Sequence, residues 1–271
     1  MCNFISVFVS QNTTICNFNA ESWVILSPIE QQIKQKIEAV GVPLKDWNIN
    51  INYGIKTGLN EAFIISDEKR KELIEQDPKS AEVIRPLLRG RDIKRYGYEF
   101  ADLYLITTFP SLKIDIEQYS AVKQHLISFG YDRLKQTGEF GARKKTSNKW
   151  FETQDTISYW EDFSKQKIMY PDISQKLSFC LINEEIYCNN TVYFISSETE
   201  NLEYLLKFLN SELINWYYKT LSVQLGKAAV RMFSIYVLNI PIPKNKIENI
   251  YESYNLNKEE IKFIESISCN S

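Results

Sequence analysis

The segment from residue 52 to residue 96 constrains the chain more than any other part of its sequence. It begins with a glycine turn, Gly54 to Gly58, that carries a lysine and a threonine, and the apolar run Ala62 to Ile65 follows. The order supplies no nucleophile, metal cage or general base. Positive charge on an ordered scaffold is what a polyanion requires, so the segment indicates binding. The charge comes from a dense cluster at its end: Arg85, Arg89, Arg91, Lys94 and Arg95.

The overall charge does not indicate a nucleic-acid binder, but its distribution does. The 271 residues carry a formal net charge of −2. Basic residues outnumber acidic ones between residues 133 and 149, whereas acidic residues collect near the C-terminus. The sequence therefore predicts a local basic surface on a mildly acidic chain.

The cysteines and the histidine argue against a structural zinc site. Five cysteines are scattered without a CxxC pair, and His125 is the one histidine of the sequence. An odd number of cysteines without a secretory leader predicts reduced thiols and a cytoplasmic location. No apolar stretch approaches the length of a membrane span.

Apolar periodicity predicts an α+β fold. We expect paired strands within residues 4–18, and a helix from Ser27-Pro28 to Gly41. Further helices are expected at 67–76 (capped by Asp67) and 119–136, and one long amphipathic helix at 202–221. Strands are expected at 48–52, 98–108, 167–172, 177–181 and 192–196. This predicts a mixed-sheet body in residues 1–197 and a helical portion in 198–271, made of the long helix, a polar loop and short C-terminal helices packed on the body.

Motifs for catalysis on DNA are missing. An adenine-N6 methyltransferase needs a glycine-rich AdoMet loop and a (D/N/S)PPY motif, and neither occurs. A PD-(D/E)xK nuclease needs carboxylates and a lysine around a divalent metal, but no lysine follows Asp172, Glu184 and Glu185 at the right offset. Residues 260–262 fit only the end of that pattern, and a single histidine excludes an HNH-type nuclease. We therefore assign no catalytic or metal-binding residue.

Two segments of the first half are binding candidates with plainer alternatives. The Gly54–Gly58 turn offers backbone N–H groups, Lys56 and Thr57 to a phosphate, or it is an ordinary tight turn. The basic cluster, if helical, follows a DNA backbone. Alternatively it is a solvated face in which Arg85 or Arg89 pairs with Glu82 or Asp92.

Three further segments complete the candidates. The loop from Arg143 to Trp150 combines charge, hydrogen-bonding side chains and an aromatic ring, which suits phosphates and base edges, unless it is a plain exposed loop. Asn189 and Asn190 read adenine edges or form a turn. A second polar loop follows the long helix. The candidate residues of these segments are Arg143, Lys144, Lys145, Asn148, Lys149, Trp150, Asn189, Asn190, Gln224, Lys227 and Arg231.

Taken in order, these segments resemble the Taq-like C-terminal specificity (target recognition) domain of type IIG restriction–modification enzymes and adenine-specific DNA methyltransferases. The resemblance is specific through its order rather than through any one motif. It covers residues 52–96, 149–152, 159–160, 167–173, 189–195, 209–214, 240–243 and 254–261.

The resemblance implies a sequence-specific reader of double-stranded DNA without catalytic motifs of its own. In that family the domain follows a catalytic domain and contacts base edges and backbone while the target adenine enters the AdoMet site. It implies no cofactor in this chain, and AdoMet and Mg²⁺ only on a methyltransferase/endonuclease partner. Since the chain begins where that domain begins, we expect a separate specificity subunit, a gene remnant or an isolated domain. Backbone contacts are expected from Lys56, residues 89–95 and Lys227, and base contacts from the Arg143–Trp150 loop, Asn189, Asn190, Gln224 and Arg231.

Two alternatives remain at this point. The chain is a half-sized type I restriction specificity subunit, because it has one recognition domain and one long helix with which to dock methylation subunits. Or it is itself a DNA methyltransferase or nuclease, which metal-dependent nicking or saturable AdoMet binding would support.

Overall fold

The structure of the chain, a computed structural model, describes residues 26–222, 224–225, 229–245 and 247–269. The strands predicted within residues 4–18 lie outside these ranges. None of the described helices is long and apolar enough to cross a lipid bilayer. The helices are α1 (Pro28–Val40), α2 (Asn60–Phe63), α3 (Asp67–Gln76), α4 (Ser120–Ile127), α5 (Tyr131–Leu134), α6 (Leu202–Leu209), α7 (Glu212–Leu221), α8 (Ser234–Val237), α9 (Ile250–Ser253) and α10 (Lys258–Cys269).

The strands are short and form several small sheets. They are β1 (Val42–Pro43), β2 (Asn50–Tyr53), β3 (Ile64–Ser66), β4 (Ile84–Leu88), β5 (Ile93–Lys94), β6 (Gly97–Tyr98), β7 (Leu103–Ile106), β8 (Lys167–Pro171), β9 (Ile173–Ser174), β10 (Cys180–Ile182), β11 (Tyr187–Cys188), β12 (Val192–Ser196), β13 (Gln224–Leu225), β14 (Ala229–Arg231) and β15 (Pro241–Ile242). The sheet orders are β10-β8-β12-β2, β11-β4-β7-β3, β13-β14-β9, β1-β15 and β5-β6. Pairing of β11 with β4 is parallel, and the other described pairs are antiparallel. The predicted α+β class is confirmed.

The sheet centred on β8 and β12 separates two apolar cores. Met169 and Phe194 pack into the first core, whereas Ile168, Tyr170 and Ile195 pack into the second. Successive side chains of a strand point to opposite faces, so this alternation places one core on each side of the sheet. Burial on both faces is why these strands read as nearly continuous apolar runs.

The second core joins distant parts of the chain. Ile33 and Ile37 of α1 lie in the same core as apolar residues of α6, α7 and α10. Strand β1 pairs with β15, and Lys36 forms an ion pair with Glu260 at 2.7 Å. The predicted boundary near residue 197 stays a prediction, and this core draws on residues from both sides of it.

The single long helix predicted at 202–221 is wrong, because the chain turns at Asn210 and Ser211. The Asn210 amide accepts from Phe179 N at 3.0 Å and donates to Phe179 O at 2.8 Å. Ser211 then caps α7, with Oγ accepting from Ile214 N at 3.1 Å. These bonds end α6 and start α7 in a new direction, although the apolar spacing continues across the break.

Other elements differ mainly at their ends. Helix α1 and β12 have the predicted bounds, as does α3, but Ser66 rather than Asp67 is its cap, accepting from Lys69 N at 3.3 Å. The helix predicted at 119–136 is interrupted at Gly130, which has a φ of 93°. The strand predicted at 98–108 shortens to β7.

Candidate nucleic-acid interface

A tight turn between β11 and β12, formed by Asn189, Asn190 and Thr191, lies at the centre of the site. Its backbone binds two other loops at once. Asn189 N donates to Leu88 O at 3.1 Å, and Asn190 N donates to Ile55 O at 3.0 Å. The glycine turn and the basic cluster, which the sequence keeps apart, therefore meet at the asparagine pair.

The close approach of these loops depends on Gly54. A Cβ atom at this position would lie 2.0 Å from the backbone oxygen of Asn189. The Gly54 N–H donates to Val192 O at 2.7 Å, and the Ile55 N–H donates to Cys188 O at 2.7 Å. Since no side chain fits here, glycine is what lets the turn join the strand ends.

The basic cluster is not helical, which corrects the first reading of it. It runs through β4, a 3₁₀ turn at Gly90–Asp92 and β5, so its side chains do not lie on one helix face. Gly90 N donates to Thr191 Oγ1 at 2.8 Å, which fastens this turn to the Asn189–Thr191 turn. Arg89 holds Asp92 through two bonds of 2.9 Å, as the alternative reading expected.

Among the remaining cations of the cluster, three form ion pairs within the described part of the chain and one does not. Arg85 pairs with Glu185 at 3.0 Å, not with Glu82. Arg95 pairs with Glu212 at 2.8 Å and donates to Asn210 O, so it has partners within the protein, and its phosphate contact stays a prediction. Lys94 pairs with Glu99 at 3.3 Å on the surface. Arg91 is exposed, and its guanidinium has no hydrogen-bond or ion-pair partner among the described residues.

Asp172, directly after β8, connects the β13-β14-β9 sheet to the Asn189–Thr191 turn. Its N–H donates to Thr191 O at 2.9 Å, and its carbonyl accepts from Met232 N at 2.8 Å. The next residue, Ile173, lies opposite Arg231 in the β9–β14 pair. Burial raises the pKa of the Asp172 carboxyl, while backbone hydrogen bonds and the charge of Arg231 act in the opposite direction.

These loops form an open cleft of about 340 Å³. Side-chain N–H donors and one carboxylate line it. Donors suit phosphate oxygens and the acceptors of base edges, and a carboxylate suits base amino groups. The lining residues are Arg89, Gly90, Arg91, Asp172, Ile173, Asn189 and Thr191.

Arg143, predicted to read bases, is instead a buried structural residue with 3% of its surface exposed. Its guanidinium donates to the backbone oxygens of Leu134 at 2.7 Å, Thr57 at 2.9 Å, Glu152 at 2.7 Å and Trp150 at 2.6 Å. Burial lowers the pKa of Arg143 to about 10. The side chain ties its own loop to the glycine turn, so the prediction of base contact is wrong.

Three more predicted contacts are structural for similar reasons. Thr57 is buried, and its hydroxyl donates to a neighbouring asparagine at 2.7 Å. The Asn148 amide donates to the backbone oxygens of residues 153 and 154 at 3.1 and 3.0 Å. Trp150 packs edge-to-face on Phe151, with ring centroids 5.5 Å apart. The Thr57 hydroxyl and the Asn148 NH₂ group are therefore occupied within the protein, whereas the role of Trp150 at DNA stays a prediction.

The lysines of the same region remain available. Lys56, Lys144, Lys145 and Lys149 are exposed. The first two both stabilise the carboxylate of Asp155, although burial raises the pKa of that group, and Asp155 accepts from Lys56 N at 3.3 Å. The region thus carries a basic surface, as the charge distribution predicted, and the roles of these lysines stay predictions.

The asparagine pair forms the turn that the sequence offered as the alternative to reading adenine edges. Asn189 is 7% exposed, and its Oδ1 already accepts from Thr191 N at 3.3 Å and Thr191 Oγ1 at 2.7 Å. It therefore cannot use that oxygen in a bidentate contact with adenine. Asn190 is exposed. Gln224 lies in β13 with its side chain not described, and Lys227 lies outside the described residues.

Sequence reasoning missed Gly90, Thr191 and the binding potential of Asp172. From the sequence, Asp172 is a candidate only as a nuclease carboxylate. A glycine inside the basic cluster and an aspartate at the end of a strand were the available signals. In the described part of the chain, no group of three His, Cys, Asp or Glu side chains is placed to hold a metal ion.

Comparison with known proteins agrees with the resemblance seen in the sequence. Residues 85–242 match the family described as the TaqI-like C-terminal specificity domain. A curated relative, the type II methyltransferase M.PaeR7I of Pseudomonas aeruginosa, is 23% identical over 227 residues, which is 83% of this chain and 38% of the relative.

A solved structure has a similar fold. The type IIG restriction endonuclease BpuSI matches with a TM-score of 0.51 and 14% identity, over 89% of this chain and 27% of that chain. The type IIL restriction–modification enzyme MmeI gives a TM-score of 0.48 at 14% identity, over 93% of this chain and 30% of that one. The chain thus spans well under half the length of each of these proteins.

Proposed function

Because the chain belongs to the TaqI-like C-terminal specificity domain family, we propose that it is the sequence-specific DNA-recognition module of a type II restriction–modification enzyme. The methyltransferase relative supports the modification half of this description, and the BpuSI likeness supports the fold.

The cleft around the Asn189–Thr191 turn is the observation that carries the proposal. Backbone hydrogen bonds from three separate loops fix the turn, so the side chains around it are held on ordered elements. Preorganised donors and acceptors discriminate between base edges better than groups on a mobile loop do. Arg91, Asn189 and Asp172 present such groups at one opening.

The exposed lysines supply the sequence-independent part of binding. Lys56 and Lys144 share one surface near Asp155, with Lys145 and Lys149 in the same loop region. Contacts from lysine to phosphate position a duplex without reading it and release counterions. We assign phosphate contact to these lysines and base contact to the cleft.

The catalytic steps belong to a partner in this proposal. The chain spans 38% of the methyltransferase relative, so a methyltransferase/endonuclease domain or subunit would supply the remainder. We place AdoMet and Mg²⁺ on that partner and propose that this chain has no activity by itself. Saturable AdoMet binding by the purified chain would contradict this assignment.

The type I alternative depended on a long docking helix. That helix is two helices, α6 and α7, and α7 is buried along most of its length in the second core. No exposed spacer of that kind occurs in the described residues, so we favour the type II reading.

Selection from randomised duplex DNA by the purified chain tests the proposal, at low salt and again at about 150 mM salt. Enrichment of one short motif that survives the higher salt supports an autonomous reader. Salt-sensitive binding without a motif, or no binding, contradicts it.

A further inference from the structure

A carboxylate lines the otherwise basic cleft. Asp172 is half-buried, and the backbone N–H groups of its own residue and of Ile173 act to lower the pKa of its carboxyl against the effect of burial. Arg231 acts on it electrostatically, but no lysine or arginine of the described residues forms an ion pair with it. An ionised carboxylate has about four acceptor sites, so acceptors remain for a ligand.

Phosphate is a poor ligand for this position. Two anions repel each other, and further desolvation of the carboxylate when DNA covers the cleft is costly unless a donor compensates. In the major groove, the donors are the exocyclic amino groups, N6 of adenine and N4 of cytosine. The cleft therefore suits a base edge better than the DNA backbone.

The neighbours of Asp172 have the complementary polarity. Asn189 Oδ1 is occupied by Thr191, so its NH₂ group is the part left to bind a ligand, as a donor. Arg91 is a donor as well and lines the same cleft. An acceptor beside donors matches a base pair in which an amino group lies next to acceptors such as purine N7 or guanine O6.

We propose that Asp172 is a specificity-determining residue whose carboxylate accepts a hydrogen bond from the amino group of one adenine or cytosine in the recognised sequence. The inference rests on the proposed function. It assigns to one residue the discrimination between amino-bearing and carbonyl-bearing bases at one position of the site.

The isosteric substitution Asp172→Asn tests this assignment. The variant keeps one acceptor oxygen and carries an NH₂ group in place of the other, so it should prefer a base with a carbonyl there, thymine or guanine. Discrimination at that position should change by about 5- to 100-fold. Asp46→Asn is the control, because Asp46 is exposed, does not line the cleft, and loses the same charge.

The experiment repeats the duplex selection with wild type, Asp172→Asn and Asp46→Asn. A change at one position with Asp172→Asn alone is expected. A motif unchanged by Asp172→Asn overturns the inference and leaves the proposed function intact. No motif with wild-type protein overturns the proposed function, and the inference with it.

A second measurement does not depend on the variant folding. Wild-type protein binds duplexes in which each adenine or cytosine of the motif is replaced in turn by purine or 2-pyrimidinone, which lack the amino group. One replacement should weaken binding by about 5-fold or more and identify the base. If every replacement leaves binding unchanged, the inference fails.

Discussion

Two buried cationic side chains, Arg143 and Lys167, hold loops together from inside the molecule. Each donates to several backbone oxygens, and each is almost inaccessible to solvent. A sequence shows charge and loop composition but not the direction of a side chain. Arg143 and its neighbour Lys144 therefore look equivalent in sequence and have opposite environments in the structure.

Arg143→Ala should lower the free energy of unfolding by about 3 kcal/mol or more, because four buried carbonyl groups lose their donor. Lys144→Ala is the matched control: it should change stability by less than about 0.5 kcal/mol while weakening DNA binding and reducing its salt dependence. Urea unfolding and binding titrations at two salt concentrations measure both effects. A stable Arg143→Ala protein with relaxed sequence preference would restore the base-reading role.

Lys167 gives the chain a pH-dependent stability. Its Nζ donates to Phe163 O at 2.7 Å, Lys165 O at 3.2 Å and Glu184 O at 2.9 Å, and burial lowers its pKa from 10.5 to about 8. Above the folded pKa and below the unfolded one, the unfolded chain binds a proton that the folded chain lacks. Stability from this site therefore rises with pH across that window.

Lys167→Met removes this titration, so the difference in unfolding free energy between wild type and variant should grow as pH rises from about 8 to about 10. At pH near 7 the variant should be less stable by about 1–3 kcal/mol, because three carbonyls lose a donor. Urea unfolding of both proteins over this range measures the difference. A difference independent of pH would show that the ammonium keeps an ordinary pKa.

Among the helices and strands, the bounds were predicted best where a strand is buried on both faces or a helix is capped by a residue next to it in the sequence. Strand β12 has the predicted bounds because it is apolar and buried, and the mostly polar helix α3 has them because Ser66 caps its first turn. The break between α6 and α7 was not predictable, because the Asn210 amide is satisfied by Phe179, a partner distant in sequence. The contact of three loops at Asn189–Thr191 was likewise not predictable, because it joins segments that are distant in sequence.

The contact between the glycine turn and the Asn189 turn should not tolerate a side chain. Gly54→Ala places a Cβ 2.0 Å from Asn189 O and should destabilise the fold by about 1–3 kcal/mol while weakening DNA binding. Gly97→Ala is the control, because a Cβ there meets nothing within 4 Å. Thermal unfolding compares the two. Equal stability of both variants would mean that the turns are not in contact.

At the scale of the whole molecule, net charge was a poor guide and local charge a better one. A chain of net charge −2 still has exposed lysines near residues 56 and 144–149. The family could be predicted from the order of motifs, since that order survives weak identity. The division between reading and structural residues could not, because it depends on which side chains the loops bury.

Binding of Arg91→Ala and Lys45→Ala to the duplex selected by wild-type protein tests whether the DNA-reading surface lies at the cleft. Both residues are exposed and carry the same charge, but Arg91 lines the cleft and Lys45 lines a separate cavity beside α1. Arg91→Ala should weaken binding by about tenfold or more at unchanged stability, and Lys45→Ala should leave it within about twofold. Equal effects of the two substitutions would contradict the placement of the DNA-reading surface at the Asn189–Thr191 turn.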